Sequence, residues 1–111
     1  MRKFFTAVLE QGNTYEGAFD TEPYEAGWAG EALWFVRILD EPAAQRITLV
    51  PQISPDGLVW MDAREPALTI DLPDGRLHSL AQSHFGNWLR LRVEAAGGRP
   101  VKYVIYLALK A

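Results

Sequence analysis

The sequence predicts an all-β protein, an antiparallel two-sheet β-sandwich of the jelly-roll type, with residues 1–111 forming a single domain. Three observations predict it. Helical periodicity is nearly absent, and the chain breaks into short alternating or β-rich runs separated by turn signals. Eight or nine such runs fit within 111 residues, and two packed sheets are the natural way to bury that many one-sided strands. The chain also carries 4 Trp, 4 Tyr and 5 Phe with 49% apolar residues, which supplies a real core and excludes disorder. A seven-stranded immunoglobulin-like sandwich is the second choice. It usually shows a Cys–Trp–Cys pattern, and this chain has no Cys.

The elements follow in order. Lys3 to Glu10 is the first run, and Gln11-Gly12-Asn13 reads as a turn. Thr14 to Phe19 is a weaker run. Asp20 to Gly30 holds Pro23, Gly27 and Gly30 and reads as a long loop. Ala32 to Leu39 is apolar on both faces, with Leu33, Phe35 and Leu39 on one and Trp34, Val36 and Ile38 on the other. Asp40-Glu41-Pro42 stops it. Ile47 to Ser54 is the next strand. Its Pro51 lacks an N–H for the ladder, so the strand is expected at an edge or with a bulge there. Pro55-Asp56-Gly57 turns into Leu58 to Asp62, and Pro73-Asp74-Gly75 follows the alternating run Ala67 to Leu72. Arg76 to Gln82 fits either a strand or one helical turn.

Asn87 to Ala95 is the most legible strand. Leu89, Leu91, Val93 and Ala95 make one face, and Trp88, Arg90, Arg92 and Glu94 make the other, the pattern of a half-solvated antiparallel strand. After Ala96-Gly97-Gly98, Val101 to Leu109 places Val101, Tyr103, Ile105, Leu107 and Leu109 inward. Leu89, Leu91 and Val93 are expected to pack against Ile105 and Leu107.

Charge excludes some functions. The net charge is −3, whereas nucleic-acid binders carry a basic footprint, so no nucleic-acid partner is expected. Residues 1–41 sum to −5 and residues 76–111 to +5. Either the two ends lie side by side and pair, or the polarity drives head-to-tail assembly or docking on an acidic partner. No stretch approaches the 18 apolar residues of a membrane span, and Thr6 and Glu10 interrupt the opening apolar run too early for a signal peptide. The expectation is a cytoplasmic protein with no membrane partner.

Residues that could carry chemistry are few. The missing Cys excludes a thiol nucleophile, a thiolate metal site and a redox role. His78 and His84 are six apart, and neither Ser79 nor Ser83 sits in a G-x-S-x-G elbow. Both histidines are read as structural, and no catalytic residue, metal ligand or cofactor is assigned. Asp56 and Asp74 belong to turns, where Asp accepts backbone hydrogen bonds. A calcium ion on loop carboxylates is a minor alternative. Trp34 and Trp60 are expected to fill the core. Trp28, between glycines, and Trp88, Arg90 and Arg92, together on one strand face, are the four binding candidates, because exposed Trp beside Arg marks sugar-stacking platforms and interface hot spots.

Two stretches carry a resemblance. Ile53-Ser54-Pro55-Asp56-Gly57-Leu58-Val59-Trp60 resembles the S-x-D-G-x-x-W hairpin of several sandwich domains, among them the discoidin-like carbohydrate- and lipid-binding domains. Those domains have a later strand similar to Asn87-Trp88-Leu89-Arg90-Leu91-Arg92-Val93. Over residues 45–110, the order of that hairpin, the F-G-x-W-L-R-x-R strand, a Gly-rich turn and a closing strand ending in Lys is similar to small β-sandwich proteins of phage and prophage structural gene regions and their bacterial relatives. That resemblance implies an accessory or decoration component, and with it virion association. The expected function is a non-enzymatic structural or interaction module, a homo-oligomer or one bound to a protein partner. The alternative is a small carbohydrate-binding module that takes a glycan through Trp28 or Trp88. A hydrolase around His78 or His84 is the least favoured reading.

Overall fold

The computed structural model describes residues 3–40 and 42–111. Glu41 of the expected Asp40-Glu41-Pro42 stop, and the first two residues, lie outside them. Among the described residues ten strands form: β1 (Phe4–Glu16), β2 (Phe19–Asp20), β3 (Tyr24–Glu25), β4 (Glu31–Leu39), β5 (Gln45–Ser54), β6 (Met61–Asp62), β7 (Leu68–Leu72), β8 (Leu77–Ser83), β9 (Trp88–Ala95) and β10 (Pro100–Lys110). They make two antiparallel sheets. The first runs β1-β10-β4-β8. The second has β9 beside β5 at its centre, with β2 and β3 in line on the far side of β9, and β7 and β6 in line on the far side of β5. Taking each in-line pair as one interrupted strand leaves eight, in the order 1-8-3-6 and 2-7-4-5. That is the jelly-roll arrangement of two interleaved Greek keys.

The core lies between the sheets. Trp34, Val36 and Ile38 of β4 and Tyr103, Ile105, Leu107 and Leu109 of β10 face Ile47 and Leu49 of β5 and Leu89, Leu91 and Val93 of β9, all of them buried in one cluster. The period-2 alternation of β9 and β10 therefore maps onto inside and outside as expected, with Arg90 and Arg92 turned outward. The core has polar members. Trp34 donates from Nε1 to Oε1 of Gln82 at 2.9 Å, so a fully buried indole keeps its hydrogen bond. Burial pushes the Tyr103 phenol well above its ordinary pKa.

Four expectations are corrected. Gln11-Gly12-Asn13 is not a turn: β1 runs on to Glu16, with register shifts against β10 between Val8 and Glu10 and between Gln11 and Thr14. The carboxylate of Glu10 accepts from the N–H groups of Gln11 and Asn13 at 3.1 Å and from the Tyr15 hydroxyl at 2.5 Å. It thus supplies acceptors to amides that the irregular ladder would leave bare, while Gly12 takes φ +96°.

The loop Asp20 to Gly30 is not wholly irregular, since β2 and β3 attach it to β9. The strand bearing Pro51 is neither an edge nor bulged: β5 is central, and Pro51 stays in register with Leu91. Pro51 accepts from Ala63 N–H at 2.8 Å on its other side, so its missing donor falls in the gap between β7, which ends opposite Leu49, and β6, which begins opposite Gln52. Trp60 does not fill the core; it lies outside the second sheet, as described below. The segment that fitted strand or helix is β8.

Candidate functional site

The outer face of the second sheet gathers three of the four candidate binding residues. Trp88, Arg90 and Arg92 alternate outward along β9, and Gln52 of β5 lies opposite Arg90. Arg90 is held on several sides. Its Nε donates to Gln52 Oε1 at 2.7 Å, it stands 3.6 Å from Asp20, and its guanidinium packs 4.4 Å from the centroid of the Trp60 ring. Gln52 in turn donates to Asp62 at 2.9 Å, and Arg92 reaches Asp20 at 3.2 Å.

The segment after β5 folds back over this face. Ser54 Oγ accepts from Gly57 N–H at 2.9 Å, and Asp56 accepts from the N–H groups of Leu58 and Val59. These bonds hold the Asp56 carboxyl below the usual aspartate range. Gly57, at φ +79°, lies so close to Trp88 that a Cβ there would sit 3.2 Å from the indole. The turn assignment is therefore correct, but the turn is also a clamp: it covers Trp88 and lays Trp60 on Arg90. Its tip turns Leu58 (82% exposed) and Val59 (71%) to solvent.

Trp28, the fourth candidate, has different neighbours. It packs on the core margin with the Lys3 ammonium 4.4 Å from its ring centroid. Sequence reasoning missed Trp60, Gln52 and Asp20 as members of the Arg90 cluster. The opposite charges of the chain's two ends were the available signal, since both arginines meet an aspartate of the acidic N-terminal segment.

A cleft of about 510 Å³ opens beside this face, lined by Ile53, Met61, Asp62, Arg64, Glu65 and His84 among others. Ser83 N–H donates to Glu65 Oε2 at 3.1 Å. His84 sits at φ +53°, and His78 Nε2 is buried beneath Gly75 without a partner. Among the described residues no group of three or more His, Asp or Glu is placed to hold a metal ion, and no helix is long and apolar enough to cross a membrane.

The outer face of the first sheet has the opposite character. Leu33, Phe35 and Leu39 of β4, Val104, Tyr106 and Ala108 of β10, Val8 of β1 and Leu77 of β8 point away from the core by strand parity. Val8 is 47% and Leu77 61% exposed. The loop Asp20 to Gly30 does not cover this face, because β2 and β3 attach it to β9 in the other sheet.

No family model and no curated protein matches the chain. Solved structures do. One, of infectious bursal disease virus Gx strain, superposes with a TM-score of 0.54 at 10% identity, covering 98% of this chain and 32% of the viral one. This chain thus spans about a third of that protein's length. The SPBc2 prophage-derived protein YomS aligns with a TM-score of 0.46 at 7% identity over 100% of this chain and 96% of its own. A family 11 carbohydrate-binding module from Clostridium thermocellum, in complex with a beta-1,3-1,4-mixed-linked tetrasaccharide, aligns at 0.48 and 14% identity over 97% and 82%. At 10% identity the likeness to the viral structure is one of fold alone.

Proposed function

We propose that this chain is a non-enzymatic structural or interaction module that associates with copies of itself through the outer face of its first sheet. The observation that carries the reading is that face: a central strand, β4, apolar on both sides, with its outer side left open by the chain's own loops. Four strands about 4.8 Å apart, with the nine residues of β4 rising about 3.3 Å each, present a plane on the order of 30 by 19 Å. That is large for an apolar patch on a monomer.

Both ends of the outer face carry both signs: Glu31 lies beside Lys110 at one end, and Arg37 and Lys102 lie toward the other, where Glu16 pairs with Pro100. Neither end carries a single sign of charge that would oppose a second copy of the same face. Light scattering at micromolar concentration should return a multiple of 12.5 kDa, and Tyr106→Glu, at the centre of the face, should reduce it. A wild-type monomer would defeat the reading.

The pattern of residues 45–110 supports a finer placement, as an accessory or decoration component of a virion. Capsid or tail genes beside this one are the check. Trp60 laid on Arg90 beside Gln52 and Asp62 favours a second reading, a glycan platform. Quenching of Trp fluorescence across a glycan array, abolished by Trp60→Ala, would support it.

A further inference from the structure

We propose that β8 is a pairing edge, joining the first sheet to the β8 of a second copy and making one continuous eight-stranded sheet across a two-fold axis at Ser79. The proposal rests on the self-association reading and specifies where it begins. Open sheet edges are normally guarded by bulges, charges, proline or short length. Among the described residues the other edges have such guards. β1 carries two irregularities in its register with β10. The outer strands of the second sheet are interrupted, as β2 with β3 and as β6 with β7, and four of these run only two to five residues. β8 has none. Leu77–Ser83 contains no charged residue and no proline, and it pairs with β4 through seven consecutive residues without a shift.

The hydrogen-bonding parity of this edge is fixed at both ends. Arg76 C=O accepts from Ile38 N–H of β4, so even-numbered residues address β4. Ser83 N–H donates outward to Glu65, so odd-numbered residues address the edge. The N–H and C=O groups of Leu77, Ser79 and Ala81 therefore point away from the sheet, and all three residues are exposed. Glu65 closes the row at Ser83.

What remains open is three residues centred on Ser79, and that row is self-complementary. Two such strands laid antiparallel pair Ser79 with Ser79, and Leu77 with Ala81 in both directions, each as a hydrogen-bonded pair exchanging two bonds. An unrelated strand would have no reason to match this centre, whereas a second copy matches it by symmetry. The pairing also doubles the width of the apolar outer face that each sheet offers.

The test uses the fact that the chain has no cysteine. In a hydrogen-bonded pair the Cα atoms lie about 5.5 Å apart, within disulfide reach. Mild oxidation of Ser79→Cys should give a covalent dimer at least tenfold faster than Thr69→Cys, an exposed control on the second sheet. Ser79→Pro removes only an edge-facing N–H, a place where strands tolerate proline, and should halve the mass measured by light scattering. Should Ser79→Pro fail to fold, Ser79→Lys sets two ammonium groups against each other on the axis and serves instead. An assembled wild type with no preferential Ser79→Cys crosslink, and with its mass unmoved by Ser79→Pro or Ser79→Lys, would overturn edge pairing while self-association stands. A monomeric wild type would overturn both, and a monomer whose edge takes up an unrelated extended peptide would overturn the second copy as occupant.

Discussion

Arg90 and Arg92 are two residues apart on one strand, face the same way, and sit in different environments. Arg92 makes a half-exposed ion pair with Asp20, the kind of pair worth about 0–1 kcal/mol. Arg90 is held by Gln52, Asp20 and the face of Trp60. Arg92→Ala should therefore cost less than about 1 kcal/mol, and Arg90→Ala more than Arg92→Ala. Leu91, fully buried between them in sequence, should cost about 2–5 kcal/mol as Leu91→Ala. Denaturant unfolding of the three variants checks the order, and equal losses would mean the strand faces are misassigned. Gly57→Val faces two obstacles, a positive φ and the indole 3.2 Å from the new Cβ, so it should destabilise by more than the roughly 1 kcal/mol of an ordinary surface change. Asp56 is held low by backbone donors. The unfolded carboxyl takes up its proton first as pH falls, so the contribution of this turn is present above the ordinary aspartate value of about 3.9 and lost below it. NMR shifts of the Leu58 and Val59 amides should follow the folded Asp56 titration below that value, and Asp56→Asn should abolish the response.

At the scale of elements, what the sequence made legible was parity. A strand with one buried face must alternate, so Leu89, Leu91 and Val93, and Tyr103, Ile105 and Leu107, announced their own orientation. Loop residues have no parity. Trp60 follows an Asp-Gly turn and looks like core material, yet the path of the turn carries it over the outside onto Arg90. Gln11-Gly12-Asn13 misleads for a related reason: a turn and a bulge both ask for Gly at positive φ, and only the distant partner β10 decides between them. The deciding local residue is Glu10, whose carboxylate serves the irregular stretch. Gln11 and Asn13 are exposed, so water can replace the carboxylate, and Glu10→Ala should cost about 0.5–1.5 kcal/mol, with amide exchange quickening at Gln11 and Asn13 before the rest of β1. Pro51 shows the same dependence on distant chain, because its missing donor is harmless only where β7 has ended and β6 has not begun.

For the whole molecule, the −5 and +5 of the two ends admit a simple internal explanation. β1 and β4 flank β10, and Asp20 meets both Arg90 and Arg92, so part of the charge asymmetry is consumed within the chain. The proposed assembly does not need it. The proposal rests on shape and patterning: one sheet has a polar outer face, clamped by its own turn, and the other has an apolar outer face with nothing folded over it. The candidate binding residues Trp88, Arg90 and Arg92 were visible as a face of β9, but their occupation by Trp60, Gln52 and Asp20 was not, because those partners come from three separate elements. The central claim is that the chain self-associates through its first sheet. Sedimentation velocity of the wild type across micromolar concentrations, with Tyr106→Glu run beside it, tests this most directly. The account predicts a wild-type mass that is a multiple of 12.5 kDa and a smaller species for the variant at unchanged secondary structure; a wild type that stays at 12.5 kDa at every concentration would contradict it.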